Sequence, residues 1–257
     1  MNNRFKLSLA IASLALAALA CQAVTGQPDA PATDATDAVT ENTSSPANTA
    51  VPLPAETDEP TAESTVNSDV LLEDDFSSGR SQWGTGTDAD SSVEYVDDAL
   101  NIQMFTKNYF VWTTPNDVDY ENIHMEVTVL NNATDSTTAF GFICDQQHPI
   151  TESHYYFAVT PGGEYAIAKA SLALDDVFLT NNDEWANSDL IAQDASSYRL
   201  GADCGNGTLT LYVDGQQVAS ISDSTYTSGG IALFTWSGQD AASANVTFDD
   251  FVMTELP

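Results

Sequence analysis

Basic residues are scarce in this 257-residue chain, which has six Lys and Arg against 38 Asp and Glu and a net charge of −32 at pH 7. Nucleic acid and anionic membrane surfaces repel such a charge, so we expect the chain to bind neither. The acidity suits cations, neutral ligands or a salty environment that screens a dense carboxylate surface. We interpret it mainly as a solvation property of the whole surface.

Long apolar runs are also missing. The longest, LSLAIASLALAALA, has 14 residues, which is short for a membrane-spanning helix. It follows Arg4 and Lys6 and ends just before Cys21, the order found in secretory signals. The segment ALAC resembles a bacterial lipobox, with Ala18 where Leu is preferred. We predict a lipoprotein signal over residues 1–20 and a lipidated Cys21; ordinary signal cleavage, with Cys21 incidental, is the alternative.

Cysteine is limited to Cys21, Cys144 and Cys204. An odd thiol in an exported protein needs an explanation, and a lipid on Cys21 supplies one. The remaining pair could then form a disulfide in an oxidising compartment. The sequence therefore predicts a Cys144–Cys204 bridge, either between neighbouring strands or between two sheets. Two buried free thiols are the alternative.

Aromatic residues are absent from residues 22–69, which hold six of the ten prolines and no Lys or Arg. Such a segment cannot bury enough apolar surface to offset its chain entropy. We predict a disordered, extended tether over residues 21–69 that presents a folded domain over residues 70–257. The lipid would be the only contact of the protein with a membrane.

Short apolar and polar alternations begin at Val70. The segments ALNIQMFT, NIHMEVTVL, TAFGFICD and TLTLYVDGQQVASIS each place apolar residues on one face, and Asp-Gly, Asn-Gly and Pro-Gly-Gly turns separate them. Period-two strands joined by such turns are typical of antiparallel sheet. No window of a dozen residues has a convincing amphipathic helix. The pattern predicts an all-β domain, a single two-sheet sandwich.

Several segments in their order resemble the concanavalin A-like lectin/glucanase domains, which include laminin G-like and keto-disaccharide hydrolase-like modules. They are DDFSSGRSQW, NYFVW, YYFAVTPGGEYAI, YRLGADCGNGTLTLYVDGQQV and VTFDDFVM, and they span residues 70–257. The resemblance implies an antiparallel jelly roll of two curved sheets. It also implies a concave face that in many relatives holds carbohydrate.

No complete set of catalytic residues is recognisable. Glycosidases of this superfamily carry an E-x-D-x-x-E strand, which supplies the two carboxylates that cleavage of a glycosidic bond requires. No segment of this chain has that pattern, so we favour a non-catalytic domain. An enzyme, either a glycoside hydrolase or a lyase, is the alternative, with an acid pair drawn from Asp145, Glu152, Asp183 and Glu184.

The three histidines do not indicate a metal site. None of His124, His148 and His154 has metal-ligand spacing with Cys or with a second His. His124 alternates outward beside Met125, and we predict that it is a surface residue of a strand.

Aromatic rings are the candidates for contact with sugar, since sugar C–H groups pack on flat aromatic faces. A strand sends neighbouring side chains to opposite faces, so Tyr155 and Phe157 share one face and Tyr156 lies on the other. Trp185 lies in the polar segment NNDEWANSD and is expected to be the most exposed ring. The candidate ligand-binding rings are Trp185, Trp83, Tyr109, Trp112, Tyr156 and Trp236.

Two pairs of acids suggest a structural calcium ion as a possible cofactor. Calcium binds six to eight oxygens, mostly of carboxylates and carbonyls. The first and last strands of a jelly roll commonly lie side by side, so acids at the two ends of the domain could meet. The candidate ligands are Asp74, Asp75, Asp249 and Asp250. Alternatively these acids are solvated, and only Phe76 and Phe251 of the two DDF segments are buried.

Together these patterns describe an exported protein anchored by lipid at a bacterial cell surface. Its jelly-roll domain is expected to bind carbohydrate or another extracellular ligand, such as a protein. An enzyme acting on extracellular polysaccharide is one alternative. The other is a structural or adhesive surface protein without a small ligand.

Overall fold

The computed structural model describes residues 69–77, 82–132, 135–148, 153–172, 174–239 and 241–256. The chain divides into two units, Met1–Thr61 and Ala62–Pro257, and all described residues lie in the second. The predicted signal, the lipidated Cys21 and the tether as far as residue 68 lie outside the described residues and stay predictions. No helix in the described part of the chain is long and apolar enough to cross a bilayer.

Strands are the only regular elements in the described ranges. They are β1 (Val70–Asp74), β2 (Gly86–Thr87), β3 (Ser91–Val96), β4 (Ala99–Met104), β5 (Phe110–Thr113), β6 (Ile123–Asn131), β7 (Ala139–Gln146), β8 (His154–Val159), β9 (Glu164–Ala170), β10 (Val177–Phe178), β11 (Ala186–Asn187), β12 (Ser197–Gly205), β13 (Thr208–Val213), β14 (Gln216–Ser222), β15 (Gly230–Trp236) and β16 (Ala244–Glu255).

The strands form two antiparallel sheets, as predicted. The first, called the back sheet, has the order β14-β13-β12-β6-β16-β4-β3-β2, with β1 paired to β16. The second, called the front sheet, has the order β10-β9-β8-β7-β15-β5, with β11 paired to β9. Distant segments such as β7 and β15 are neighbours, a crossing of connections typical of a jelly roll rather than of a simple meander.

One apolar core lies between the sheets, and period-two alternation supplies it. In β6, Ile123, Met125 and Val127 are buried while the residues between them are partly exposed. In β13, Leu209, Leu211 and Val213 belong to the same core. Antiparallel strands that cover a core with one face and meet solvent with the other have this pattern. The back sheet therefore follows the alternation read from the sequence.

Tight turns hold the register of the strands. Asn206 and Gly207 join β12 to β13 with φ values of 52° and 69°, and Asp214 and Gly215 join β13 to β14 with φ values of 50° and 75°. Two consecutive positive φ values define the type I′ turn, whose twist matches that of the strands. The predicted Asn-Gly and Asp-Gly hairpins are confirmed.

The disulfide between Cys144 and Cys204 is confirmed. It links β7 of the front sheet to β12 of the back sheet, with a Cα–Cα distance of 6.6 Å. The bridge is therefore an inter-sheet bond, which decides between the two arrangements that the sequence left open. Both cysteines are fully buried in the core.

The front sheet differs from the back sheet because both of its faces are buried. All residues of β7 and β8 are buried. A second apolar cluster covers the outer face, separate from the core between the sheets. Its buried members are Ala139, Ile143, Tyr156, Ala158, Ala166, Ala168, Ala170, Ala232 and Phe234. In the described part of the chain, no third layer of secondary structure lies on this second apolar face, and this feature calls for a functional explanation.

Candidate functional site

A cleft of about 780 Å³ lies on the outer face of the front sheet. Its floor includes Ala139, Ala158 and Ala170, which come from three adjacent strands. Because an alanine side chain is one methyl group, these positions leave space above the sheet that larger side chains would fill. The cleft thus forms because the outward positions at its centre hold alanine, while larger side chains surround these positions.

Aromatic rings form much of the remaining lining, and strand alternation places them there. In β5, Phe110 and Trp112 face outward while Val111 enters the core. In β15, Phe234 and Trp236 face outward while Leu233 enters the core. The full lining is Phe110, Trp112, Ala139, His154, Tyr156, Ala158, Ala170, Ser171, Leu174, Asp176, Phe178, Trp185, Phe234, Trp236 and Gln239.

The rings are held by contacts with one another. Phe110 and Phe234 stack with centroids 4.9 Å apart and planes at 20°. Trp185 and Trp236 are close to parallel, at 17°, with centroids 6.5 Å apart. Phe178 packs on Trp185 at 5.8 Å. Rings fixed by such pairs offer preorganised flat surfaces, which lowers the entropy cost of stacking a ligand on them.

Polar groups are few in this cleft. The Tyr156 hydroxyl donates a hydrogen bond of 3.1 Å to Oδ2 of Asp176. Burial, and next the Asp176 charge, raise the pKa of the Tyr156 hydroxyl, so it stays a donor at physiological pH. The lining also includes His154, Ser171 and Gln239. A mostly apolar pocket with a few fixed polar groups is the usual form of a small-ligand site.

Four of the six ring candidates meet in this cleft. Tyr156, Trp112, Trp185 and Trp236 all line it. Their role in binding stays a prediction. Trp112 is 43% exposed, whereas Tyr156 is only 8% exposed. Trp112 therefore has far more surface to offer a ligand.

The other two ring candidates are located elsewhere. Trp83 is 1% exposed in the core, packed edge-on against Phe251 at 5.1 Å, so it has no face to offer a ligand. Tyr109 packs against the inter-sheet core, on the same side of its segment as Val111. Neither ring lines the cleft: Trp83 is buried in the core, whereas Tyr109 is only partly buried against it.

The expectation that Trp185 is the most exposed ring is wrong, since Trp185 is only partly exposed and Trp112 is 43% exposed. The segment around Trp185 is polar, but Phe178 and Trp236 contact this ring from elsewhere in the chain. Trp185 is therefore partly buried in the aromatic wall. Local polarity in the sequence does not report such long-range contacts.

Sequence reasoning missed several members of the cleft. Phe110, Phe234 and Phe178 were not among the candidates, and neither was Asp176, the carboxyl bonded to Tyr156. A usable signal was present for two of them, because Phe110 shares a strand face with Trp112 and Phe234 shares one with Trp236. The contribution of Asp176 depends on the path of a loop, which no local pattern predicts.

The acids of the enzyme alternative are not brought together in the cleft. Asp183 accepts a hydrogen bond of 2.8 Å from the Phe178 amide, and Glu184 is exposed next to it. Neither residue belongs to the lining. Glu152 lies outside the described residues. Asp145 is buried beside the disulfide, with its carboxylate within 4.8 Å of both cysteine sulfurs. Since these sulfurs are bonded to each other, this cluster is not a metal site.

A β-bulge explains the position of Asp145. The register between β7 and β15 shifts so that Cys144 and Asp145 both lie opposite Ile231. Asp145 has a φ of 49°, and its carboxyl lies close to the bridge formed by its neighbour Cys144. Burial raises the pKa of this carboxyl to about 6. A bulge that redirects a side chain in this way cannot be read from alternation.

Replacing Asp145 with Asn is expected to change how stability depends on pH. The folded carboxyl has a raised pKa, so its contribution to stability is fully present below the unfolded pKa of about 4 and is lost as the pH rises through about 6. The effect of Asp145→Asn on the free energy of unfolding should therefore differ between the two pH values. It should be more stabilising at pH 7 than at pH 4 by about 2–3 kcal/mol. Denaturant unfolding at both pH values measures this difference.

The control for this experiment is Asp117→Asn, which changes an exposed acid. Its effect on stability should be within about 0.5 kcal/mol at both pH values. A pH profile of the Asp145→Asn protein parallel to that of the wild type would contradict the assignment of a buried, uncompensated carboxyl.

His124 points outward from β6, as predicted, but it also has charged partners. It is half-buried on the outer face of the back sheet, where Nδ1 lies 2.6 Å from Oδ1 of Asp203 and Nε2 lies 3.4 Å from Oε1 of Glu126. The hydrogen bond to Asp203 raises the pKa of His124, although burial opposes it. His124 is thus part of a cross-strand charge network and is not simply a solvated surface residue.

The calcium candidates lie at the junction of the first and last strands. β1 pairs with β16, and Asp74 lies opposite Phe251. Asp74, Asp75 and Asp250 line one hollow of about 510 Å³. Burial and the charges of Asp250, Asp75 and Asp98 raise the pKa of Asp249. As expected, Phe76 of the first DDF segment and Phe251 of the second are buried.

No known protein family and no curated protein matches the sequence of this chain. Solved structures do match its fold. The chain is similar to the carbohydrate-binding module CBM66 from Bacillus subtilis, with 15% identity, a TM-score of 0.51, and coverage of 68% of this chain and 96% of that chain.

Two glucanases are similar to the same degree. For a β-glucanase from Bacillus licheniformis the identity is 13%, the TM-score is 0.51, and 74% of this chain and 100% of that chain are covered. For a GH16 protein from Bacteroides ovatus, in complex with its product, the identity is 16% and the TM-score is 0.52. The match covers 72% of this chain and 100% of that chain. These likenesses, together with the strand order of the two sheets, show that the folded part of this chain is a concanavalin A-like jelly roll.

Proposed function

We propose that this protein is a glycan-binding protein, and that the cleft on the front sheet is its binding site. The observation that carries the proposal is the alanine floor surrounded by aromatic rings, on a face that no third layer formed by the described residues covers. Flat rings take the C–H faces of sugars, while Asp176, His154 and Gln239 are polar groups of the lining that could take hydroxyls. Structural neighbours that include a carbohydrate-binding module and two glucanases support this reading.

A glycan array with the purified protein tests the proposal. We expect binding to at least one class of polysaccharide or oligosaccharide, at micromolar to millimolar strength. Absence of binding to every glycan on the array would remove the proposal and favour the structural or adhesive alternative, in which the domain contacts another protein.

We further propose that the domain acts without catalysis. Cleavage of a glycosidic bond commonly needs two carboxyl groups across the bond. Among the described residues that line the cleft, Asp176 is the one carboxylic acid. An enzyme is the second candidate, since two of the structural neighbours are glucanases. Release of reducing sugar from polysaccharide, abolished by Asp176→Asn, would establish that candidate in place of simple binding.

For the cellular location we propose a lipid anchor at the surface of a bacterium. The support is the sequence order of Arg4, the apolar run and Cys21, followed by a tether poor in apolar residues. Replacing Cys21 with Ala is expected to move the protein from the membrane fraction to the soluble fraction of the cells that produce it. Fractionation of the two proteins measures this, and an unchanged membrane fraction would contradict the anchor.

We also propose that the acids at the end of the domain hold a structural calcium ion. Asp74 fits this role, because its Oδ2 atom is buried and accepts no hydrogen bond from the described residues. Asp75 and Asp250 line the same hollow, and carboxylate oxygens are donors that suit calcium. Arg199 also lines the hollow but donates to Glu126 and to the carbonyl of Asp250.

Removal of calcium should therefore lower the melting temperature of the domain by several degrees, since a ligand that binds only the folded state stabilises it. Calorimetry with excess calcium and with a chelator measures the effect, and Asp74→Asn should make the two scans coincide. Identical scans of the wild-type protein would contradict the site.

A further inference from the structure

The cleft has an unbalanced charge. Among its described lining residues there is no Lys and no Arg, whereas Asp176 supplies a carboxylate. One oxygen of Asp176 accepts the hydrogen bond from Tyr156. A carboxylate has about four lone-pair positions, so this contact leaves acceptor capacity for a ligand. The cleft can therefore pair with a positive group but has no fixed cation to pair with a negative one.

Acidic residues near the cleft add to its preference for positively charged groups. Asp175 is exposed beside Asp176, and the exposed acids Asp183 and Glu184 directly precede the lining residue Trp185 in the chain, although neither lines the cleft. The whole chain has a net charge of −32. Such a field raises the local concentration of cations and repels anions. Glycans with uronate or sulfate groups would meet repulsion here without a compensating ion pair.

The aromatic lining also favours a positively charged ligand. The faces of Trp rings attract cations, and three tryptophans, Trp112, Trp185 and Trp236, line this cleft. An amino group on a sugar ring lies close to the C–H groups that stack on an aromatic face. One ligand can then combine the ring stack with an ion pair to the carboxylate, whereas a neutral sugar can offer the carboxylate only hydroxyl hydrogen bonds.

We propose that the cleft selects glycans whose sugar rings carry protonated amino groups, with Asp176 as the counter-ion and the tryptophans as the stacking surface. This inference rests on the proposed glycan-binding function and specifies the class of glycan. The inference predicts that the positive charge on the sugar ring, and not only the shape of the oligosaccharide, determines the affinity.

Three oligosaccharides of one length and one linkage test the inference: β-1,4-linked glucosamine, β-1,4-linked N-acetylglucosamine and β-1,4-linked glucose. They differ only in the group at carbon 2. Titration calorimetry with the purified protein, at low salt and below the pKa of the sugar amine, compares them. We expect the glucosamine oligomer to bind at least about tenfold more tightly than the other two. The advantage should shrink as salt is added.

Asp176→Asn is the diagnostic variant, and Asp175→Asn is its matched control. Both acids are exposed in the same loop, but only Asp176 lines the cleft. Asp176→Asn should bring the three affinities within about twofold of one another, while Asp175→Asn should keep most of the preference. An unchanged preference in Asp176→Asn would overturn the assignment of the counter-ion.

Two results would overturn the inference as a whole. One is tighter or equal binding of the neutral oligomers, which would leave the proposed glycan-binding function standing. The other is no binding of any of the three, after which the wider glycan array judges the proposed function separately.

Discussion

Removing both bridge cysteines, as Cys144→Ala with Cys204→Ala, is expected to lower the free energy of unfolding by about 4 kcal/mol. The bridge joins residues 60 positions apart and ties the front sheet to the back sheet. Its loss frees a long loop in the unfolded chain, and chain entropy makes that state more favourable. For a domain of this size the melting temperature should fall by roughly 10 °C.

Denaturant unfolding and calorimetry measure this effect. The control is Cys21→Ala, which changes a cysteine of the predicted lipoprotein signal, outside the described residues, and should leave both values unchanged. An unfolding midpoint of the double variant equal to that of the wild type would contradict the view that the inter-sheet bond stabilises the sandwich.

Removing two rings from the aromatic wall, as Trp185→Ala with Trp236→Ala, is expected to weaken glycan binding at least about 100-fold. The two indoles lie nearly parallel and line the cleft together. Each stacked ring typically contributes about 1–3 kcal/mol, so two of them account for about 3 kcal/mol or more. Titration calorimetry with the best glycan from the array measures the loss.

The matched control for this pair is Phe105→Ala. Phe105 is a 44% exposed ring that does not line the cleft, so its removal should not change affinity. Because both tryptophans are partly buried and packed against the outer cluster, the melting temperature of the double variant is measured as well, and affinities are compared at a temperature at which both proteins are folded. Unchanged affinity in the double variant would move the binding site away from this face.

Alternation predicted the back sheet well because one of its faces meets solvent. The segment NIHMEVTVL shows which residues of β6 are buried, and the structure agrees. In the β13–β14 hairpin the Asp-Gly turn is also as predicted, but the register shifts between Leu211 and Tyr212, and β14 does not alternate strictly. In β6 and at the Asp-Gly turn, local pattern and tertiary environment agree, which is the condition for reading structure from sequence.

Alternation was ambiguous for the front sheet because both of its faces are apolar. It correctly separated Tyr156 from Tyr155 and Phe157, but it could not say which set enters the core. The structure assigns Tyr155 and Phe157 to the core and Tyr156 to the outer cluster. The core side is decided by contacts such as the hydrogen bond from Tyr155 to Asp223, a residue 68 positions away.

Irregular segments account for the failures. Trp83 lies between strands, where no period applies, and it is buried by Phe76 and Phe251 from the two ends of the domain. Asp176 reaches the cleft through a loop between β9 and β10. These positions depend on distant partners, so propensity and spacing within a short window carry no information about them.

The four tryptophans of the chain provide the most direct test of glycan binding in the outer-face cleft. Trp112, Trp185 and Trp236 line the cleft, while Trp83 is buried in the core and serves as an internal control. Two-dimensional NMR of the indole N–H groups, recorded while a bound glycan is added, should show shifts of the three cleft signals and a constant Trp83 signal. Saturable binding that leaves all three cleft signals unmoved would contradict the account.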